Sequence, residues 1–214
     1  GSAERLQHKL ESKLQDSDQQ LLARSVSTIV AQVQGMQRLV NDFRDYARLP
    51  SAQLAPLDLN ALVQEVTGLY GTLMEQGRLT LALAPGLPMI MGDASQLRQV
   101  IHNLTQNALD AVEPQPDGSV TLLTEAARNE DGQVRAVRLK VLDNGPGIDP
   151  AERARLLSRW AQGPAGETLR QGSGLGLAIV AEYARILGAQ LNLDAGEDGR
   201  GLKVGLTIAQ ATEL

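Results

Sequence analysis

Leu22, Val26, Ile29, Val33, Met36, Val40, Phe43 and Ala47 follow one another at alternating steps of four and three residues, without a break. That register is the seam of a coiled-coil-like bundle, and it commits the first fifty residues to a long helix that needs a partner surface. A shorter helix is predicted over Ala3–Leu14, and "QDSDQQ" supplies turn formers with an N-cap at Ser17 or Asp18. So short a companion cannot cover eight seam positions, which favours intermolecular packing over the simpler alternative of an amphipathic helix lying on its own domain. The stripe stops at "ARLPSAQLAPLDLN", where Pro50 and Pro56 forbid helix continuation. The chain therefore reads as a helical hairpin at 1–49, a linker at 50–57 and a second domain at 58–214.

Composition narrows the function classes for that second domain. With 43% hydrophobic residues among 214, the chain can bury a real core. A net charge of −5 and 2% aromatic residues argue against a nucleic-acid binder, which wants a basic face and stacking rings. An anionic ligand must then be held by local geometry. The absence of cysteine excludes disulfides, thiolate metal sites and a thiol nucleophile. No stretch approaches the roughly 20 apolar residues of a membrane span, so no membrane contact is expected of these residues. The opening Gly1-Ser2 without a methionine leads to the expectation that the natural protein begins earlier.

The second domain reads as a helix over 58–76, strands near 79–83 and 89–91, and a helix over 94–112. Paired strands near 119–127 and 134–142 follow, then helices near 150–158 and 174–187 and strands near 189–194 and 202–209. Val137, Leu139 and Val141 alternate with Arg138 and Lys140, the pattern of a sheet with one covered face. The expected fold class is α+β, a two-layer sandwich with helices on one face of a mixed sheet.

Three segments carry chemistry. In "HNLTQNALDA" (102–111), Asn103 and Asn107 stack one turn apart beside the apolar stripe Leu97, Val100, Ile101, Leu104 and Ala108. Two mid-helix asparagines cost roughly half a kcal/mol each in propensity. They are either solvent-facing by chance or kept because a side-chain carbonyl offers Mg²⁺ a hard oxygen. "LKVLDNGPGI" (139–148) leaves Asp143 at a strand end, where its carboxylate can accept from an exocyclic amine; an ordinary turn is the alternative. "GSGLGLAIV" (172–180) sets three glycines at spacing two before a helical run, so that backbone N–H groups can face phosphate oxygens. It lacks the Gly-Lys-Ser/Thr of a Walker loop.

In this order, the asparagine helix, the Asp-x-Gly-x-Gly turn and the Gly-x-Gly-x-Gly helix start resemble the N, G1 and G2 boxes of sensor histidine kinases, with their Bergerat (GHKL) ATP-binding fold. "AERLQHKL" and "LVNDFRDYARLP" are most similar to nitrogen-regulation sensor kinases of the NtrY-like type. The resemblance implies a dimerisation and histidine-phosphotransfer hairpin at 1–49, a homodimer through it, and a catalytic and ATP-binding domain beyond 57. It implies ATP and Mg²⁺ as cofactors, with Asn107 on the metal and Asn103 near the phosphates as the catalytic pair. Asp143 would read adenine, Gly145 and Gly147 would line its pocket, and Asp110 would join the cofactor site. Gly172, Ser173, Gly174, Leu175, Gly176 and Leu177 would cradle the phosphates. The implied activity is that of a protein-histidine kinase, transferring the ATP γ-phosphoryl group to a histidine for relay to a response-regulator aspartate. The implied location is the cytoplasmic portion of a sensor anchored in the inner membrane.

Two departures stand out. The lid at 149–171, "DPAERARLLSRWAQGPAGETLRQ", lacks the Phe-rich or Thr-Thr-Lys pattern of the nitrogen-regulation group; its Arg153, Arg155, Arg159 and Arg170 are candidates for the γ-phosphate, and Trp160 for packing. The family's phosphoacceptor lies in His-Glu-x-x-x-Pro, whereas His8 and His102 have neither the acid nor the proline. His8 reads as solvated and His102 as a packing or hydrogen-bonding residue near the nucleotide. The expectation is a chain that begins just past the acceptor, binds ATP with Mg²⁺ and does not phosphorylate itself. Alternatives are a serine kinase or ATPase of the same fold, which usually has a catalytic Glu where Asn103 stands, and a non-enzymatic dimeric scaffold.

Overall fold

The structure, a computed structural model, describes residues 1–47, 51–161 and 175–211. The chain divides into two compact units, Gly1–Arg48 and Leu49–Leu214.

In the first unit α1 (Ser2–Leu10) leads through a 3₁₀ turn at Glu11–Lys13 into α2 (Asp16–Ala47), against which it packs. The first helix is shorter than expected and the second starts earlier, at Asp16 instead of after Ser17 or Asp18. The Gln19 side chain closes the junction by donating to the Leu14 carbonyl at 2.9 Å, a local bond that propensity alone does not register. Of the seam, Val26 is buried, while Ile29, Val33, Met36 and Val40 lie open to solvent.

The second unit is built on a five-stranded sheet in the order β2 (Leu79–Leu83), β4 (Val120–Arg128), β5 (Val134–Asp143), β7 (Leu202–Ala209), β6 (Gln190–Ala195). The β2–β4 pair is parallel and the other pairs are antiparallel. Alternation works as the sequence predicts: Val137, Leu139 and Val141 are buried on the inner face. Arg138 and Lys140 emerge on the other, where both pair with Glu125 at 2.9 and 2.8 Å. Lys140 first, and then Arg138, hold the Glu125 carboxyl below its ordinary range against the opposing effect of burial. Helices cover the inner face, with α5 (Ala94–Val112) packed between α3 (Leu59–Thr67) and α7 (Leu175–Leu187). The arrangement is the expected mixed α+β sandwich.

Two details differ from expectation. The stretch read as a linker carries β1 (Ala55–Leu57), which pairs antiparallel with β3 (Ile90–Gly92), setting Pro56 opposite Met91. Proline is tolerated there because the two-stranded pair leaves β1 an edge. The helix predicted over 58–76 breaks into α3, a 3₁₀ turn at Gly68–Tyr70 and α4 (Gly71–Glu75), with a glycine opening each new piece. A polar knot ties α3 to the sheet: Thr124 Oγ1 donates to Asn60 Oδ1 at 2.7 Å, and Asn60 Nδ2 donates to the Ala84 carbonyl at 2.7 Å.

Candidate functional site

The α5 helix starts at Asp93, whose Oδ1 accepts from Gln96 N–H at 3.1 Å and whose Oδ2 accepts from Gln53 N–H at 2.9 Å. Its apolar side, Leu97, Val100, Ile101, Leu104, Ala108 and Val112, is sealed in the core. Packing of that side orients the opposite one, where Gln99, Asn103, Gln106, Asn107 and Asp110 form a polar band. One-turn amide bonds lace the band: Gln99 Nε2 donates to Asn103 Oδ1 at 2.8 Å, and Gln106 Nε2 to Asp110 Oδ1 at 2.8 Å. Asn107, by contrast, makes no side-chain hydrogen bond among the described residues. Its amide faces Gly176 so closely that a Cβ there would stand 2.7 Å from both Nδ2 and Oδ1.

Gly176 and Leu177 lie in the first turn of α7, whose backbone N–H groups have no intrahelical partner. The Leu177 side chain is buried in the core, so only its backbone is available to a ligand. Leu175 opens α7, while Gly172, Ser173 and Gly174, with the lid from 162 to 171, fall outside the described residues. The side chains of Arg159 and Trp160 do so too. Arg153 and Arg155 stand on α6 (Pro150–Ala161).

At the end of β5, Asp143 is 9% exposed. Its Oδ1 accepts from Gly145 N–H at 2.9 Å and from Leu202 N–H at 3.3 Å. Burial pushes its carboxyl above the ordinary value, and those two backbone donors only partly offset it. Gly145 packs on Ala111 of α5, a Cβ there standing 3.1 Å from the Ala111 carbonyl. Gly147 has φ +73°, and a Cβ on it would come within 2.7 Å of the Gly201 carbonyl. The glycine turn is thus seated between α5 and the β6–β7 turn. A carboxylate so placed, with one oxygen filled and the other open, can accept a single N–H from a ligand.

On the flank of the band, the Tyr70 hydroxyl lies 2.9 Å from His102 Nδ1 and 3.3 Å from Gln106 Oε1. Burial, reinforced by the Asp110 charge, raises Tyr70 above its ordinary range, so the phenol stays protonated at neutral pH. His102 therefore hydrogen-bonds beside the band as the sequence reading has it, and His8 is exposed. Tyr70, Leu202 and Gly201 are participants that sequence reasoning missed. The glycines of "GEDGRG" signal a turn between strands, but nothing in them says that its end abuts Asp143.

Residues 92–212, more than half of the chain, match the family described as histidine kinase-, DNA gyrase B- and HSP90-like ATPases. The chain belongs to that family. Among curated relatives of this ATPase domain, nitrogen regulation protein NtrY of Azorhizobium caulinodans is 28% identical over 97% of the chain and 26% of its own length. Sensor protein CreC of Escherichia coli K12 is 31% identical over 84% of the chain and 37% of its own length. The chain thus spans about a quarter to a third of the curated relatives it matches. Full-length ShkA, solved in complex with AMPPNP, superposes with a TM-score of 0.61 at 27% identity over 99% of this chain and 46% of that one. Histidine kinase ThkA, solved with response regulator protein TrrA, shares the fold at a TM-score of 0.69 and 17% identity, over 98% of this chain and 57% of that one. The histidine-kinase resemblance read from the three motifs and the α+β sandwich read from the order of helices and strands both hold. No helix among the described residues is long and apolar enough to cross a membrane.

Proposed function

We propose that this ATPase-family domain is the nucleotide-binding catalytic part of a sensor histidine kinase. It binds ATP between α5 and the start of α7 and serves transfer of the γ-phosphoryl group to a histidine, for relay to an aspartate of a response regulator. The observation that carries the reading is the free amide of Asn107, facing Gly176 at the first turn of α7. An unbonded side-chain carbonyl beside the first-turn N–H groups of a helix suits a cation carried on a phosphate group. When bound, Mg²⁺ would be held by the Asn107 oxygen and would neutralise charge on the phosphates.

The chain's own residues have separable tasks in this reading. The N–H groups of the first turn of α7, at Gly176 and Leu177, hold phosphate oxygens, a stabilisation that is preorganised because these donors are fixed by the helix, and Gly172, Ser173 and Gly174 add to the cradle. Asn103 stands one turn before Asn107 with its oxygen already taken by Gln99, which leaves its Nδ2 to donate toward phosphate. Asp143 accepts from the adenine amino group, and Gly145 and Gly147 let the flat base approach the turn. Asp110, its Oδ1 held by Gln106, borders the cation. The unit Gly1–Arg48 supplies the homodimer contact, and the phosphoacceptor is neither His8 nor His102. The complete sensor would be anchored in the inner membrane with this part in the cytoplasm.

Calorimetric titration of ATP and ADP, with and without Mg²⁺, on the chain and on Asn107→Ala tests the reading. Mg²⁺-dependent binding of ATP that weakens by about tenfold or more in Asn107→Ala is expected. Equal binding by both proteins removes Asn107 from the cation, and no binding by the parent chain brings the scaffold alternative forward.

A further inference from the structure

Asn144 adjoins Asp143 in the glycine turn, yet its side chain and its backbone both bond away from the site. Its Oδ1 accepts from Ser119 N–H at 2.8 Å and its Nδ2 donates to the Asp117 carbonyl at 2.8 Å. Its own carbonyl accepts from Gln115 Nε2 at 3.0 Å, and its N–H donates to the Ser119 carbonyl at 3.3 Å. Four bonds thus run from one residue into the short connection between α5 and β4.

That connection is itself fixed. Gln115 N–H reaches the Val112 carbonyl at 3.0 Å and Gly118 N–H the Gln115 carbonyl at 3.1 Å, winding the loop tightly after α5. Arg78 Nη2 donates to both carbonyls, at 3.1 and 3.2 Å, and pins the loop from the β2 side. Gly118 has no room for a side chain, since a Cβ would stand 2.4 Å from the Val112 carbonyl.

We infer that Asn144, fastened by Gln115 and the 117–119 backbone, is a positioning residue that holds the Asp143 carboxylate in register with the base of the nucleotide. The inference rests on the proposed role of Asp143. The physical need is clear: Asp143 Oδ1 is held by two backbone donors, one in its own turn and one at 3.3 Å on β7. Neither fixes where the strand end itself lies relative to α5, whose polar band would carry the other end of the ligand. The Asn144 clasp ties that strand end to the loop leaving α5, adding polar bonds to the packing of Gly145 on Ala111. Its geometry serves selectivity for a base bearing an amino donor, because a single acceptor discriminates only if it cannot wander.

The test compares affinities for ATP and for purine riboside triphosphate, which lacks only the 6-amino group. The parent chain should prefer ATP by about tenfold, the value of one charge-assisted hydrogen bond. Asn144→Ala should reduce that preference to about twofold while retaining cooperative thermal unfolding, and Gln115→Ala, which removes one part-buried bond, should give an intermediate ratio. An Asn144→Ala chain that loses affinity for both nucleotides equally, with the preference intact, overturns the inference and leaves Asn144 a purely structural residue. If Asn144→Ala fails to fold, the Gln115→Ala ratio decides in the same way. Asp143→Asn separates the two layers: a preference unchanged in that variant overturns the role of Asp143 and the clasp with it. A preference lost in Asp143→Asn but kept in the Asn144 and Gln115 variants overturns the clasp alone.

Discussion

Gly176 shows how a single hydrogen atom sets the site. In Gly176→Ala the new methyl would meet the Asn107 amide at 2.7 Å, and the soft end of that side chain would swing aside while the backbone stays put. The expected outcome is a folded chain whose affinity for ATP with Mg²⁺ falls by about tenfold, read by calorimetry, with a thermal midpoint close to the parent's. Asp143 behaves oppositely. Its folded value lies above the ordinary 3.8, so the folded chain binds the proton more tightly than the unfolded one. That contribution to stability is complete below the ordinary value and is lost as pH rises through the raised one. At neutral pH the ionised carboxylate is therefore a burden on the fold. Asp143→Asn should raise the melting temperature at pH 7, with the advantage shrinking as the buffer is acidified, and should abolish the preference for ATP. A melting temperature that drops at pH 7 would mean that the backbone donors of Gly145 and Leu202 outweigh the burial of the charge.

At the scale of elements, α5 is where fold and site are one object. Its apolar side is core and its polar band is the ligand face, so the helix must be held in both rotation and position. The Asp93 cap does part of this, with one oxygen on the helix start and the other on Gln53, the segment that leads into β1. Asp93→Ala should cost about 1–2 kcal/mol in urea unfolding. It should also weaken nucleotide binding more than an equally destabilising core change such as Ile208→Val, a buried residue of β7 outside the band. The extent of this helix was legible in the sequence, because its apolar spacing declares it, whereas the double role of the Asp93 cap came only with the structure. The breaks at Gly68 and Gly71 and the strand hidden in the 50–57 stretch were not legible either. A three-residue edge strand has too few alternations to show, and a proline beside it reads as a stop.

At the scale of the whole molecule, the open stripe of Ile29, Val33, Met36 and Val40 on α2 is the least satisfied surface of the first unit. A second copy is the proposed cover, and light scattering should return the mass of two chains. Ile29→Glu with Met36→Glu should give a monomer that still binds ATP, since the stripe belongs to Gly1–Arg48 and the nucleotide residues to Leu49–Leu214. A parent chain that is monomeric at high concentration would count against the dimer. The missing acceptor context around His8 and His102 is a prediction at this scale too: incubation with γ-labelled ATP should leave no acid-labile, base-stable phosphate on the chain.

The sequence by itself determined the helical seam and its end, the covered sheet, and the three motifs in their order, because periodicity and glycine, asparagine and aspartate placement are local properties. It named Asn107, Asp143 and Gly176 without saying that any two of them meet. Only the tertiary structure decided that α7 brings Gly176 against Asn107, that the β6–β7 turn lends Leu202 and Gly201 to Asp143, and that Asn144 is spent on the loop after α5. Those contacts join residues up to 69 positions apart through one packed core, and no local pattern encodes which backbone donor a distant strand will present.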